Sequence, residues 1–246
     1  GILTPAVTVT TAIEGLRTVD FIYDVIGDNQ GIVVAIVICI LCVLFFLQKA
    51  GTSTIGKLFG PVMTLWFAFL AFAGLMNIGL DLSVLRAFNP LRGIMFLFDG
   101  NLNAAGLMVL GNVFLCTTGA EALYSDMGHV GKPNIYATWP FVKVCLILNY
   151  LGQGAWIIAN AGNADLAAIS DLNPFFQMLP GQMRVFAVLL STFAAIIASQ
   201  ALITGSYSIV SEAVRLDLMP HMRINYPSET KGQIYIPLVN NIMWVG

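Results

Sequence analysis

An all-α membrane protein, a multi-span helical bundle, is the fold class this sequence predicts, and three observations carry the prediction. The 246 residues are 58% hydrophobic and only 10% charged, with a mean hydropathy of +0.83, a balance foreign to soluble domains. Uncharged runs recur at 29–48, 58–80, 102–120, 144–164 and 185–211, each near the ~20 residues a helix needs to cross the hydrocarbon core. Those runs lack the alternating period of a barrel strand, and lipid admits only helices or closed barrels as spanning elements.

Taken in order, the first expected span is 4–22, where Thr4 is placed to cap the helix and Pro5 fits its first turn. The second and third, 29–48 and 58–80, are uncharged throughout. The fourth, 102–126, runs past its apolar stretch into TTGAEALYSDMGH, and the fifth and sixth are 134–160 and 185–211. A seventh, 233–246, is cut off within an apolar run, and the chain begins without Met or a signal peptide. The sequence therefore reads as part of one transmembrane transport domain covering 1–246, a fragment of a longer protein.

Lys49, Lys57, Lys132, Arg215, Arg223 and Lys231 fall on one set of alternate loops, against Arg17, Arg86, Arg92 and Arg184 on the other. The majority side is assigned to the cytoplasm. Asp20, Asp24, Asp28, Asp81, Asp99, Asp165 and Asp171 then lie outside, and Lys143 snorkels from within its span. A net charge of −2 without a Lys/Arg cluster predicts neither nucleic acid nor a polybasic lipid-binding arm as partner. Cys39, Cys42, Cys116 and Cys145 all sit in apolar runs and read as packing residues, since the C-x-x-C at Cys39 has no second ligand pair.

Glu121 is the residue that demands a reason. An ionised side chain near mid-bilayer costs at least ~2.5 kcal/mol, so it faces protein or water and has a task. Two placements are open. A straight helix over 102–120 would finish crossing just before Glu121 and leave it among headgroups; a break at 117–120, which Gly111, Gly119, Thr117 and Thr118 would permit, would set bare carbonyls and hydroxyls beside a carboxylate. The second arrangement suits a dehydrated alkali cation, which needs several oxygen ligands. Glu14 is a second acid candidate, with Thr10 and Thr11 on its helical face or, alternatively, an exposed position at the outer mouth. Ser199 and Ser206, seven apart among Ser191, Gln200, Thr204 and Tyr207, face one way; they are either part of an ion pathway or small residues at a helix contact.

Six stretches carry a resemblance: TPAVTVTTAIEGL at 4–16, GKLFGPVMTLWF at 56–67, TGAEALYSDMGHVG at 118–131, LNYLGQGA at 148–155, ASQALITGSYS at 198–208 and GQIYIPLVN at 232–240. In these motifs and their order the chain resembles the Kup/HAK/KT potassium uptake permeases. The resemblance implies a proton-coupled potassium importer of the cell membrane with the amino-acid/polyamine/organocation-type fold, two inverted five-helix repeats with discontinuous first helices. The span around Thr118 and Glu121 would open the second repeat. Family acids map onto Glu14 and Glu121, with Thr117, Thr118 and Tyr124 as oxygen neighbours for potassium or the proton. Asp126 and His129 would follow near the cytoplasmic mouth, as pathway groups or as helix-end and solvent contacts. The family's opening helix with a GD-x-GTSP-like motif and its later helices and cytoplasmic tail are not in this sequence, so these stand as missing partners and the fragment alone is not expected to transport. Its proline shortly before LNY is replaced in position by Val144, with Pro140 earlier.

No resident cofactor is expected; potassium and protons are the transported species, the lipid bilayer is the surrounding partner, and a homo-oligomer is admitted. An organic-solute permease of the same fold is the alternative, with a roomier site and Glu121 meeting an amine. A channel is a weaker rival, since no TVGYG-like filter occurs. An enzyme is not expected, because His129 and His221 lie far apart and no nucleophile or metal cluster accompanies them.

Overall fold

The computed structural model describes residues 3–15, 30–47, 53–98, 108–114, 131–163, 166, 172–226 and 234–245. Among these, regular structure is helical apart from one antiparallel bridge between Asn225 and Tyr235. The named helices are α1 (Leu3–Glu14), α2 (Gln30–Leu47), α3 (Ser53–Ile78), a 3-10 helix (Leu82–Phe88), α4 (Pro90–Phe98), α5 (Lys132–Ala159), α6 (Pro174–Gln177), α7 (Gly181–Arg215) and α8 (Pro237–Val245). Residues 108–114 are also helical. Three stretches are long and apolar enough to cross a membrane among the described residues: Leu58–Ile78, Lys132–Ala159 and Gly181–Arg215. The chain divides into two compact units, Gly1–Phe69 with Leu172–Gly246, and Leu70–Asp171.

In the first unit α1 begins at Leu3, so Pro5 stands in the first turn, where a missing N–H costs nothing. One face of α1, Val9 and Ile13, packs on Val33 and Val37 of α2. On α7, Ser199 meets Pro5, while the Phe176 ring, just before α7, occupies the space a Cβ would take at Gly15. Those two contacts set α1 antiparallel to the first half of α7. With 35 residues, α7 is about 52 Å long, well over the ~30 Å of a hydrocarbon core, so it must tilt or extend beyond it.

The end of α7 is built by a Schellman motif. Asp217 takes the left-handed conformation (φ 57) while its N–H bonds Val214 O and the Leu218 N–H reaches Ala213 O. At the other end an aromatic cluster of Trp66, Phe69, Phe175, Phe176 and Phe186 forms largely edge-to-face contacts, with centroids 5.1 to 6.4 Å apart. Asn173 caps α6 by accepting from the Phe175 N–H, and Arg184 donates to the Leu179 carbonyl.

In the second unit the C-terminal part of α3 crosses α5 backbone to backbone. A Cβ on Gly74 would run into the carbonyl of Leu148, and one on Gly152 would lie 2.5 Å from the Gly74 Cα. Lipid tails are as apolar as Leu, so helices here associate through close packing, which glycine permits. Buried Asn77 and Asn149 sit three residues from those glycines; the Asn77 amide bonds the Ala73 carbonyl, while the Asn149 Oδ1 has no partner among the described residues. Residues 82–98, lying between two expected spans, fold into the 3-10 helix and α4, an outcome that the search for long uncharged runs did not anticipate.

Candidate functional site

Glu14 is the last residue of α1 and is half-buried. A helix ends with carbonyls that lack intrahelical partners and with the negative pole of its dipole. No basic residue stands in that last turn. Thr10, one turn earlier, is half-buried and donates to the Ala6 carbonyl at 2.8 Å; Thr11 is exposed and donates to Val7 O at 3.0 Å. Both hydroxyls keep lone pairs for a cation, so the end of α1 collects oxygen of one sign.

Five hydroxyls of α7 turn back on their own helix. Ser191, Thr192, Thr204, Ser206 and Ser208 each donate to a carbonyl of their own helix three or four residues back, the usual resting place of such groups in an apolar helix. Ser199 instead is fully buried and reaches across to the Pro5 carbonyl at 3.4 Å. Pro5 and Glu14 are nine residues apart on α1, about 13.5 Å along the axis, so the structure does not gather Ser199 and Glu14 into one cluster. Ser206, expected on the Ser199 side, is half-buried and bonded to Leu202 O.

Toward its C-terminal half α7 carries a polar group that sequence reading missed in part. Tyr207 donates to the Asn240 Oδ1 at 2.6 Å inside a core of Phe45, Ile203, Tyr235, Ile236 and Met243. The Gln200 Nε2, Ser211 Oγ and Tyr235 Oη are buried without partners among the described residues. Gln200 and Tyr207 were visible as polar interruptions of an apolar run; Asn240 and Tyr235 were visible only as letters of a motif, because their pairing joins α7 to a segment some thirty residues on.

Thr117, Thr118, Glu121, Tyr124 and Asp126 lie outside the described residues, as do His129 and Cys116. Cys39 is exposed, Cys42 half-buried and Cys145 buried, all free thiols. No group of three His, Cys, Asp or Glu side chains able to hold a metal occurs among the described residues.

Comparison with known proteins adds what geometry alone does not. The family model described as "K+ potassium transporter integral membrane domain" matches residues 1–246. A Clostridium perfringens (strain SM101) protein named "Probable potassium transport system protein Kup" is 57% identical over 245 residues, 100% of this chain and 37% of the relative. An Enterococcus faecalis (strain V583) protein of the same name is 54% identical over 245 residues, 100% of this chain and 36% of the relative. In Lactococcus lactis subsp. lactis a "Probable potassium transport system protein Kup 1" is 56% identical, with 100% and 36% covered. The chain thus spans little more than a third of the length of the curated relatives it matches. No solved structure matches it. With its long apolar helices and a family model that covers every residue, the chain is a multi-pass membrane protein and belongs to the Kup/HAK/KT family of potassium transporters.

Proposed function

We propose that the chain is part of a secondary active transporter that imports potassium across the cell membrane, with uptake coupled to protons. The single observation that carries this reading is the family match over residues 1–246, with relatives named as potassium transport proteins at 54 to 57% identity. The described geometry agrees in kind. α1 ends in a carboxylate at the negative pole of its dipole, with no basic residue in its last turn, a setting that favours a cation over an anion. In this reading Glu14 and Glu121 are the acids that bind potassium or carry the proton, and Thr117, Thr118 and Tyr124 supply neutral oxygen around a helix break, as half-helix ends do in transporters. Ser199, Ser206 and Asp126 line the pathway more loosely. The inverted-repeat fold belongs to the same proposal, with the segment around Glu121 opening the second repeat.

The test uses the full-length protein in cells lacking their own potassium uptake systems. Rubidium tracer should accumulate against its gradient, faster when the outside is acidified, and unlabelled amino acids should not compete. Accumulation of an amino acid without rubidium would favour an organic-solute permease. Rubidium flux that only runs down its gradient would favour a channel.

A further inference from the structure

Residues 82–98 of the second unit are too short to cross a bilayer, yet they carry strongly exposed apolar surface. α4 has 9 residues, about 13.5 Å, less than half of the ~30 Å core. Leu91, Ile94, Met95 and Phe98, spaced i, i+3, i+4 and i+7, share one face. Their exposures are 59, 51, 68 and 81%, whereas Phe96 and Leu97, on the far side with Gly93, are 39 and 36% exposed. Folding has turned the apolar stripe outward, the reverse of an amphipathic helix in water.

The depth of this segment follows from its anchor. The 3-10 helix starts at Leu82, four residues after α3 ends at Ile78, and its one buried residue is Val84. Val84 packs where Gly154 of α5 leaves room: a Cβ there would be 2.9 Å from the Val84 Cγ2. Gly154 is five residues from the end of α5 at Ala159, about 7.5 Å along its axis. The segment is therefore held near the level at which two spanning helices of the unit end. Amphipathic helices bury their apolar faces ~5–10 Å into the boundary between headgroups and acyl chains. Arg86 and Arg92, both exposed, bracket the junction of the two short helices, and Arg92 is about 100° round the helix from Leu91.

We propose that residues 82–98 dock in plane on the phospholipid bilayer at the boundary where α3 and α5 end, with Leu91, Ile94, Met95 and Phe98 among the acyl chains. Arg86 and Arg92 then stand where lipid phosphates accept hydrogen bonds, a complement of charge to the anionic headgroup oxygens. The occupant is lipid because the apolar stripe continues, at the end of α3, from helices already in the hydrocarbon.

The experiment places a nitroxide at single cysteines in the full-length protein, reconstituted in phosphatidylglycerol and phosphatidylethanolamine vesicles, with native cysteines replaced. Met95→Cys and Phe98→Cys probe the stripe, and Gly93→Cys probes the opposite side, where a Cβ meets nothing within 4 Å. Labels at Met95 and Phe98 should collide preferentially with oxygen, and the label at Gly93 with a water-soluble nickel chelate, the ratio differing several-fold. Chelate access at Met95 and Phe98 equal to that at Gly93 would overturn the proposal. Shielding of both stripe labels from oxygen and chelate would also overturn it, by showing that another part of the longer protein covers the face. Oxygen preference at all three positions would exclude an in-plane setting.

Discussion

Tyr207 and Tyr235 meet edge to face at 6.0 Å, yet their hydroxyls stand in different positions. The Tyr207 hydroxyl donates to buried Asn240, whereas that of Tyr235 is buried without a partner among the described residues. Tyr207→Phe would strand the Asn240 Oδ1 and should cost about 1–3 kcal/mol, the desolvation penalty of an unsatisfied polar atom. Tyr235→Phe removes an atom that lacks a partner among the described residues and should be neutral or stabilising; thermal unfolding of the full-length protein in detergent reads both. Asp81 offers a pH test outside the spans. Hydrogen bonds from Ser83, side chain first and backbone second, hold its carboxyl below the ordinary 3.8, with Arg86 adding to the effect. A depressed folded value means that the cap's contribution is present above pH 3.8 and is lost as pH falls through the lower folded value. The amide of Ser83 should keep its hydrogen-exchange protection at neutral pH in Asp81→Asn and lose it in Asp81→Ala. At this scale the sequence exposed which polar residues interrupt apolar runs, Ser199 and Tyr207 among them. Partners remained hidden, because Pro5 is 194 residues from Ser199 and Asn240 is 33 from Tyr207.

At the scale of the element, two of the uncharged runs coincide with long helices among the described residues. The runs at 58–80 and 185–211 became α3 and α7, extended by residues that carry charge or polar groups beyond the apolar stretch. The same criterion was blind to 82–98, since Asp81, Arg86, Arg92 and Asp99 break it into pieces shorter than a span. Periodicity within such short pieces has too few turns to declare itself. Glycine was equally silent. GKLFGPVMTLWF and LNYLGQGA contain several glycines between them, and only folding shows that Gly152, in the second, faces Gly74 beyond the end of the first. Gly74→Ala and Gly152→Ala would each drive a methyl into backbone that cannot rotate away, and should destabilise by about 1–3 kcal/mol or more, as overpacked cores do. Gly60→Ala on the same helix as Gly74 meets nothing within 4 Å and should be neutral or gain up to ~1 kcal/mol. Unfolding midpoints of the three variants side by side separate tight crossing from generic loss of glycine.

On the proposed reading, the question for the whole molecule is how one set of groups would link two flows. The most informative stretch of the sequence, TTGAEALYSDMGH, was legible as chemistry because an acid ends an apolar run; its geometry falls outside the described residues, so its role rests on chemistry and kinship. If Glu121 serves in turn as proton carrier and as counter-charge to potassium, the two cations compete for one carboxylate, and binding of each weakens the other by the same factor. Such antagonism makes potassium binding depend on the protonation of Glu121, so that titration of this one group would link uptake to pH. Glu121→Gln preserves shape and hydrogen bonding while removing titration. In the full-length transporter, uphill rubidium uptake should collapse toward the level of cells without it, and whatever flux remains should no longer respond to external pH. Glu14, half-buried at the end of α1 and separated from the Ser199 contact by most of that helix, should behave differently. If it gathers cations at the helix end, Glu14→Gln should raise the potassium concentration for half-maximal uptake several-fold while leaving the pH response intact. Uptake by Glu121→Gln that stays uphill and pH-dependent at near wild-type rates, with normal expression, would remove Glu121 from the coupling and leave Glu14 as the acid to test next.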